Sequence, residues 1–139
     1  MIVVDANILV GFMCMPAHQP LAGRARTRDA CWVLPPLWKH EFLNAIALLV
    51  RHRHFTAADA AAIWLEGSAA FEPNEHAPDL AAVLHLAIVH GITTYDAQYV
   101  VLAEMLDAPL LTEDRELLKK FPRRAVSLET FCGGTRTGR

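Results

Sequence analysis

The chain has 139 residues, a hydrophobic content of 53% and a formal net charge of −2, which fit a single globular domain with a sizeable core. This charge, with a pI of about 6.4, excludes a strongly basic nucleic-acid-binding protein but allows local basic patches. No uninterrupted apolar run reaches transmembrane length, and the apolar N-terminus lacks the positive start of a signal peptide, so we expect no membrane association.

The predicted elements alternate between short apolar strands and helices. The strands are predicted at 2–5, 32–34, 110–112 and 125–128, with a further short strand at 71–73. The helices are predicted at 7–15, 21–29, 37–53, 57–70, from Pro78 in a first turn to a stop at Gly91, at 96–106 and at 113–120. Buried strands between helices predict an α/β domain with a mainly parallel central sheet flanked by helices.

Two helices carry apolar residues at the helical period, and we predict that these residues face the core. They are Phe42, Ala45, Ile46 and Leu49 in one helix and Leu80, Val83, Leu84, Ala87 and Ile88 in the other. Residues 133–139 are rich in glycine and arginine and are predicted to be disordered, which leaves 1–132 as one domain.

The cysteines indicate the redox compartment of the protein, and the mean hydropathy bears on whether it has a buried partner surface. Cys14, Cys31 and Cys132 are odd in number and widely spaced, so they form neither a zinc motif nor a disulfide framework. A reducing, cytoplasmic location fits this pattern. The mean hydropathy of +0.23 is high for a small monomer. It fits either a buried partner surface, such as a dimer interface, or a well-filled core with ordinary exposed alanines.

Four acidic residues border predicted core elements. They are Asp5 after the first strand, Glu41 within the long apolar helix, Asp96 at a helix start and Asp114 after strand 110–112. A carboxylate beside a core is costly unless it is paired, hydrogen-bonded or bound to a metal. Asp5 and Asp114 both follow strands of a parallel sheet, so they should lie at the same sheet edge, where ligands bind in such folds.

Taken singly, each acid has an ordinary interpretation. Asp5, Asp96 and Asp114 fit the start of a helix, and Glu41 fits an exposed helix flank. Taken together, clustered carboxylates repel one another, by about 4 kcal/mol per pair at 4 Å and an effective dielectric near 20. A divalent cation such as Mg²⁺ or Mn²⁺ relieves that repulsion and favours all-oxygen sites. Such ions activate water and stabilise charge at phosphate, which predicts phosphodiester hydrolysis.

The order of these residues resembles the PIN-domain ribonucleases, especially the compact VapC-type toxins of toxin–antitoxin pairs. The matching segments are Val3-Val4-Asp5-Ala6-Asn7-Ile8-Leu9, Glu41 with Asn44, Thr94-Tyr95-Asp96-Ala97-Gln98-Tyr99 with Leu102-Ala103, and Pro109-Leu110-Leu111-Thr112-Glu113-Asp114. The resemblance implies a PIN-like three-layer domain. It also implies that the four acids hold Mg²⁺ or Mn²⁺ and activate water for attack on RNA, as in a metal-dependent RNA endonuclease.

Further expectations follow from this resemblance. Asn7 and Thr112 match polar positions that would support the acids or bind water. The protein would form a homodimer, act on RNA and be inhibited by a small antitoxin that covers the acidic cleft. Arg24, Arg26 and Arg115, from two basic clusters, are candidate RNA contacts. Glu113 beside Asp114 is expected at the surface.

Three other functions remain open at this point. An aspartyl-phosphate hydrolase or phosphatase would need a second Asp two residues after the first, and Asn7 stands there. A catalytically silent binding module of the same fold would be expected to lack one or more acids, and all four are present. An RNA-processing nuclease without an antitoxin has the same sequence features as a toxin.

Overall fold

Four short parallel strands form the central sheet of this computed structural model, which describes residues 1–133. The strands are β1 (Ile2–Val4), β2 (Trp32–Val33), β3 (Leu110–Leu111) and β4 (Ala125–Val126). The helices are α1 (Ala6–Cys14), α2 (Gln19–Arg28), α3 (Trp38–Arg51), α4 (Ala57–Phe71), α5 (Leu80–His90), α6 (Thr94–Met105), α7 (Arg115–Lys120) and α8 (Leu128–Phe131). A 3₁₀ helix, Glu72–Asn74, follows α4.

The strand order is β2-β1-β3-β4, which places β1 and β3 side by side in the middle of the sheet. Val3 pairs with Val33 on one side and with Leu110 on the other. The backbone N–H of Asp5 donates to the Leu111 carbonyl over 2.9 Å, so the pairing continues to the carboxyl end of β1. The predicted mainly parallel α/β sheet is therefore confirmed.

Alternation along the strands divides the core into two layers. Val3 packs with α5, α6 and α7 on one side of the sheet. Ile2 and Val4 point to the other side, where they pack with α1, α2, α3 and α4. Because successive strand side chains face opposite ways and all three are fully buried, β1 requires a helical layer on each side. The result is the expected three-layer arrangement.

Helix α5 departs from the predicted burial pattern. Val83 and Ala87 are buried against α6, as predicted. Leu84 and Ile88 are 56% and 72% exposed, and Leu80 is 66% exposed, so their predicted core position is wrong. The helix carries two neighbouring apolar stripes, and only one can face α6. On α3, by contrast, Phe42 and Ile46 are buried as predicted, with Ala45 and Leu49 half-buried.

Several element boundaries also differ from the predictions. The strand predicted at 71–73 is wrong, because Phe71 ends α4 and the 3₁₀ helix begins at the next residue. Helix α5 begins at Leu80, so the prediction that Pro78 lies in its first turn is wrong, and Asp79 caps the helix by accepting from the Ala81 N–H over 3.0 Å. The predicted stop at Gly91 is confirmed by its left-handed φ of 63°. Apart from Gly133, the predicted disordered tail lies outside the described residues.

No single helix in residues 1–133 combines the length and the apolar content that a bilayer-spanning segment needs. Only α5 and α6 taken together reach these values, and the pair is bent by 115° at its break.

Candidate active site

Asp5 is the buried acid at the centre of the site. It follows β1 directly and is 6% exposed. Its backbone occupies the N-cap position of α1, but its side chain makes no capping hydrogen bond. The helix-capping interpretation therefore does not account for the carboxylate, which is directed to other groups.

Thr112 links Asp5 to Asp114. The fully buried Thr112 hydroxyl donates to Asp5 Oδ2 over 2.7 Å and accepts from the backbone N–H of Asp114 over 3.0 Å. Because β1 and β3 are adjacent and parallel, residues that follow each strand meet at one edge. A single hydroxyl thus orients one carboxylate and fixes the backbone that carries another.

Asn7 lies beside the same carboxylate, in the first turn of α1. Its Nδ2 donates to Asp5 Oδ2 over 3.4 Å, and its Oδ1 accepts from the Glu113 backbone N–H over 3.5 Å. Both bonds are long, and the side chain is exposed. Asn7 therefore lies at the position where the resemblance expects it, with freedom to adjust.

Glu41 is positioned from the opposite layer by Tyr99. The Tyr99 hydroxyl donates to Glu41 Oε1 over 2.7 Å, across the end of β1 from α6 to α3. Tyr99 is fully buried and Glu41 is half-buried. A buried charge-assisted hydrogen bond of this kind restrains the carboxylate, so Glu41 is not simply an exposed helix-flank residue.

Asp96 and Asp114 both lie in the first turn or at the cap of a helix. Asp96 is the third residue of α6, whose cap is Thr93. Asp114 caps α7, because its Oδ1 accepts from the N–H groups of Glu116 and Leu117 over 2.9 and 3.1 Å. The capping interpretation of Asp114 is thus correct for one oxygen, and it leaves Oδ2 for another partner.

The pKa values show that the acids act on one another. The pKa of Asp5 rises to about 7, chiefly because burial removes the carboxylate from water. The Thr112 hydrogen bond opposes this rise, and the charges of Glu41 and Asp96 add to it. Burial likewise raises the pKa of Glu41 and of Asp96, with further increases from Asp96 and from Asp114, respectively. The four acids therefore form one electrostatic cluster.

This cluster fits a divalent cation. Its donors are all oxygen, and no cationic side chain of the described residues forms an ion pair with any of the four acids. Within residues 1–133, no three His, Cys, Asp or Glu side chains already stand at ligating positions around one point. Such a spacing is compatible with Mg²⁺, which often takes only one or two carboxylates and keeps several waters.

The candidate RNA contacts and Glu113 differ in their surroundings. Arg26 is stacked over the Trp32 and Phe71 rings and donates to the Ala30 carbonyl, which ties it to the core. Arg24 donates to the Cys132 carbonyl over 3.3 Å, away from the acids. Arg115 is exposed directly after Asp114. Glu113 is exposed, as expected, and accepts from the Leu128 N–H over 2.7 Å, so it anchors α8.

Two concave surfaces flank the acids and share Glu41. One is a mostly apolar groove of about 460 Å³, lined by Ala6, Asn7, Val10, Gly11, Met15, His18, Glu41, Ala45 and Glu113. The other has a volume of about 400 Å³ and is lined by Leu37, His40, Glu41, Asn44 and Tyr95. Both concave surfaces therefore reach the acid cluster at Glu41.

Sequence reasoning gave no role to Tyr99 or to the flanking surfaces. Tyr99 was recognised only as part of a motif, although its spacing of three from Asp96 places both on one helix face. His18 and Tyr95 are distant from each other in sequence, and only the folded chain brings them to opposite sides of Glu41.

The fold is a parallel α/β domain with a cluster of acids at one edge of its sheet. Sequence comparison identifies the family to which this domain belongs. Residues 2–123 match the sequence profile of the PIN domain. The chain belongs to the PIN domain family, which confirms the resemblance stated from its motifs.

Similar proteins are known from Pyrobaculum aerophilum. The chain is 33% identical over 130 residues to Ribonuclease VapC3, a match that covers 87% of this chain and 95% of that protein. It is 34% identical over 95 residues to Exonuclease VapC9, covering 68% of this chain and 63% of that protein. A crystal structure of PAE2754 from the same organism has a TM-score of 0.75 and 28% identity, covering 94% of this chain and 92% of that one.

Proposed function

We propose that this protein is a metal-dependent endoribonuclease and the toxin of a toxin–antitoxin pair. The observation that carries the proposal is the electrostatic cluster of Asp5, Glu41, Asp96 and Asp114 at one edge of a PIN-domain sheet. Burial of Asp5 raises its pKa, so ionising the cluster is costly until a cation arrives. The similarity to Ribonuclease VapC3 over nearly the whole chain supports RNA as the substrate.

The chain's own residues would arrange the reaction around that cation. The four acids would hold Mg²⁺ or Mn²⁺, which when bound activates water and neutralises charge at phosphate. Thr112 holds the Asp5 carboxylate and the Asp114 backbone in one relation. Tyr99 restrains Glu41, and Asn7 supports Asp5 from the solvent side. Such supporting groups typically change metal affinity or activity by 10- to 100-fold.

The antitoxin would occupy the apolar groove between α1 and α3. Val10, Met15 and Ala45 give this groove apolar walls, while Glu41 ends it beside the acids. A peptide with an apolar side chain next to a basic residue complements both features. An antitoxin encoded beside this gene should inhibit cleavage stoichiometrically. If no neighbouring gene product binds the purified protein, the RNA-processing alternative is favoured.

A homodimer is the proposed oligomeric state. Leu80, Leu84, Ile88 and Val89 leave one face of α5 apolar and 56–72% exposed. A self-complementary apolar face is the usual basis of a two-fold dimer. The three cysteines of the chain are free, which supports the proposed cytoplasmic location.

The activity is tested with circular and end-labelled structured RNAs, incubated with Mg²⁺, Mn²⁺ or EDTA. Cleavage of circular RNA that needs the metal supports an endonuclease, because a circle has no end for an exonuclease. Degradation of linear RNA alone would favour exonuclease action, the activity named for the relative VapC9. Folded protein that binds Mn²⁺ but cuts neither form would contradict nuclease function on these RNAs and favour the silent binding module.

A further inference from the structure

The second concave surface beside the acids differs from the apolar groove because it contains an exposed tyrosine ring. Its lining residues are Leu37, His40, Glu41, Asn44 and Tyr95, and we call it the Tyr95 pocket. It shares Glu41 with the apolar groove on the other side of the acids. A polynucleotide cut internally continues in both directions from the scissile phosphate, so each concave surface beside Glu41 is a candidate place for a neighbouring nucleotide.

Tyr95 is the exposed aromatic residue of this pocket. It directly precedes Asp96 in the first turn of α6, and it is 59% exposed. Its ring belongs to neither of the two hydrophobic core clusters. An aromatic face held by a helix beside an acid cluster, and not used in the core, is available to a ligand.

We infer that the Tyr95 pocket holds the base of a nucleotide next to the scissile phosphate. This inference rests on the proposed ribonuclease function and deepens it. Base stacking on an aromatic side chain is a common means of holding single-stranded RNA. The Asn44 amide offers both a donor and an acceptor to the edge of the stacked base.

The charge distribution favours a base over a backbone phosphate in this pocket. Glu41 forms one wall, and Tyr95 directly precedes Asp96 in α6, so two carboxylates border the pocket. A phosphate there would meet negative charge, whereas an uncharged base would not. Carboxylate and amide acceptors also suit the exocyclic amino groups of adenine, cytosine and guanine, which uracil lacks.

The test compares Tyr95→Ala and Tyr95→Phe with wild type on the RNA that wild type cleaves. Loss of stacking should lower kcat/KM about 5- to 150-fold for Tyr95→Ala, mainly through KM. Tyr95→Phe keeps the ring and should retain near wild-type activity. Leu65→Ala, which removes a 68% exposed side chain from α4, is the matched control and should change nothing.

A double-mutant cycle identifies the base. RNAs with a single abasic nucleotide on either side of the cut are cleaved by wild type and by Tyr95→Ala. At the base that stacks on Tyr95, the abasic change should cost wild type a similar factor and Tyr95→Ala almost nothing more. Full additivity at both positions, or unchanged kcat/KM in Tyr95→Ala, would overturn the pocket assignment.

These outcomes are separate from failure of the proposed function. A wild-type protein that cleaves no RNA contradicts the nuclease function and the inference with it. A wild-type protein that cleaves normally, with Tyr95→Ala equally active, contradicts the pocket alone.

Discussion

The acidic sheet edge buries an ionisable side chain, whereas the outer face of α5 exposes apolar side chains. At the sheet edge, Asp5 is 6% exposed although it carries an ionisable group. On α5, Ile88 is 72% exposed although it is apolar. Each arrangement is unfavourable in the isolated chain, and each becomes favourable when a specific partner is added.

The two regions differ in how firmly they are built. Thr112 holds Asp5 and Tyr99 holds Glu41 through hydrogen bonds of 2.7 Å, the first buried and the second partly buried, so both carboxylates are oriented before any cation binds. The α5 face has only the geometry of its helix, which suits a flat apolar partner. A catalytic site thus needs side chains held in fixed positions, whereas an association surface needs only an apolar area that complements its partner. The following changes test each side of this contrast.

The largest effect is expected from the acids themselves. Asp5→Asn and Asp96→Asn each remove a charge without removing core volume, so the fold should persist. Because each would remove a metal ligand, cleavage should fall more than about 100-fold, the upper range for groups that only support ligands. Circular dichroism checks the fold and kcat/KM the activity. Glu104→Gln, on the exposed side of α6, is the control.

A charge placed on the α5 face should break the proposed homodimer. In a two-fold interface Ile88 is buried twice, and burying an isoleucine contributes roughly 1.5–3 kcal/mol. Ile88→Glu should therefore weaken self-association at least about 100-fold, measured by sedimentation. Leu65→Glu on α4 is equally exposed in the monomer and should leave association unchanged. A wild-type protein that is monomeric at high concentration would contradict the proposal that the α5 face forms a dimer interface.

Loss of the Tyr99 hydroxyl should have an intermediate effect. Tyr99→Phe removes the bond to Glu41, so cleavage should fall about 10-fold and stability by about 1 kcal/mol. Tyr95→Phe removes an exposed hydroxyl four residues earlier and should alter neither. Equal activity of the two variants would show that Glu41 needs no restraint.

The stability of the metal-free protein should fall as pH rises. Burial raises the pKa of Asp5 to about 7, so the folded state binds a proton that the unfolded state has lost above about pH 4. The free energy of unfolding should therefore fall by about 2–3 kcal/mol between pH 5 and pH 8, as measured by denaturant unfolding in EDTA. In Asp5→Asn, the change in unfolding free energy between pH 5 and 8 should be smaller than in wild type. The stability of this variant should still fall as pH rises, because the pKa values of Glu41 and Asp96 are also raised.

The smallest effect concerns metal removal and stability. A cation at ten times its Kd stabilises the fold by about 1.4 kcal/mol, which shifts the melting temperature by a few degrees. EDTA should therefore abolish cleavage while the protein stays folded. A metal-free chain that unfolds would show that the acids cannot be held in place by Thr112 and Tyr99 alone.

The contrast also explains what could be predicted from sequence. The shared sheet edge of Asp5 and Asp114 could be predicted because β1 and β3 are continuous apolar runs, and residues after parallel strands share an edge. Tyr99 could not, because its partner Glu41 is 58 residues away and only the packing of α6 against β1 joins them. On α5, the sequence could not show whether Leu84 is buried, because apolar residues at the helical period form two adjacent stripes and either stripe could face α6.

Binding of Mn²⁺ tests the central claim most directly. Titration calorimetry is performed on wild type, on Asp5→Asn, Glu41→Gln, Asp96→Asn and Asp114→Asn, and on Glu104→Gln as control. The account predicts saturable binding to wild type and control, weakened at least about tenfold in each of the four site variants. Wild-type affinity in Asp5→Asn and Asp96→Asn would contradict a cation site built from these acids.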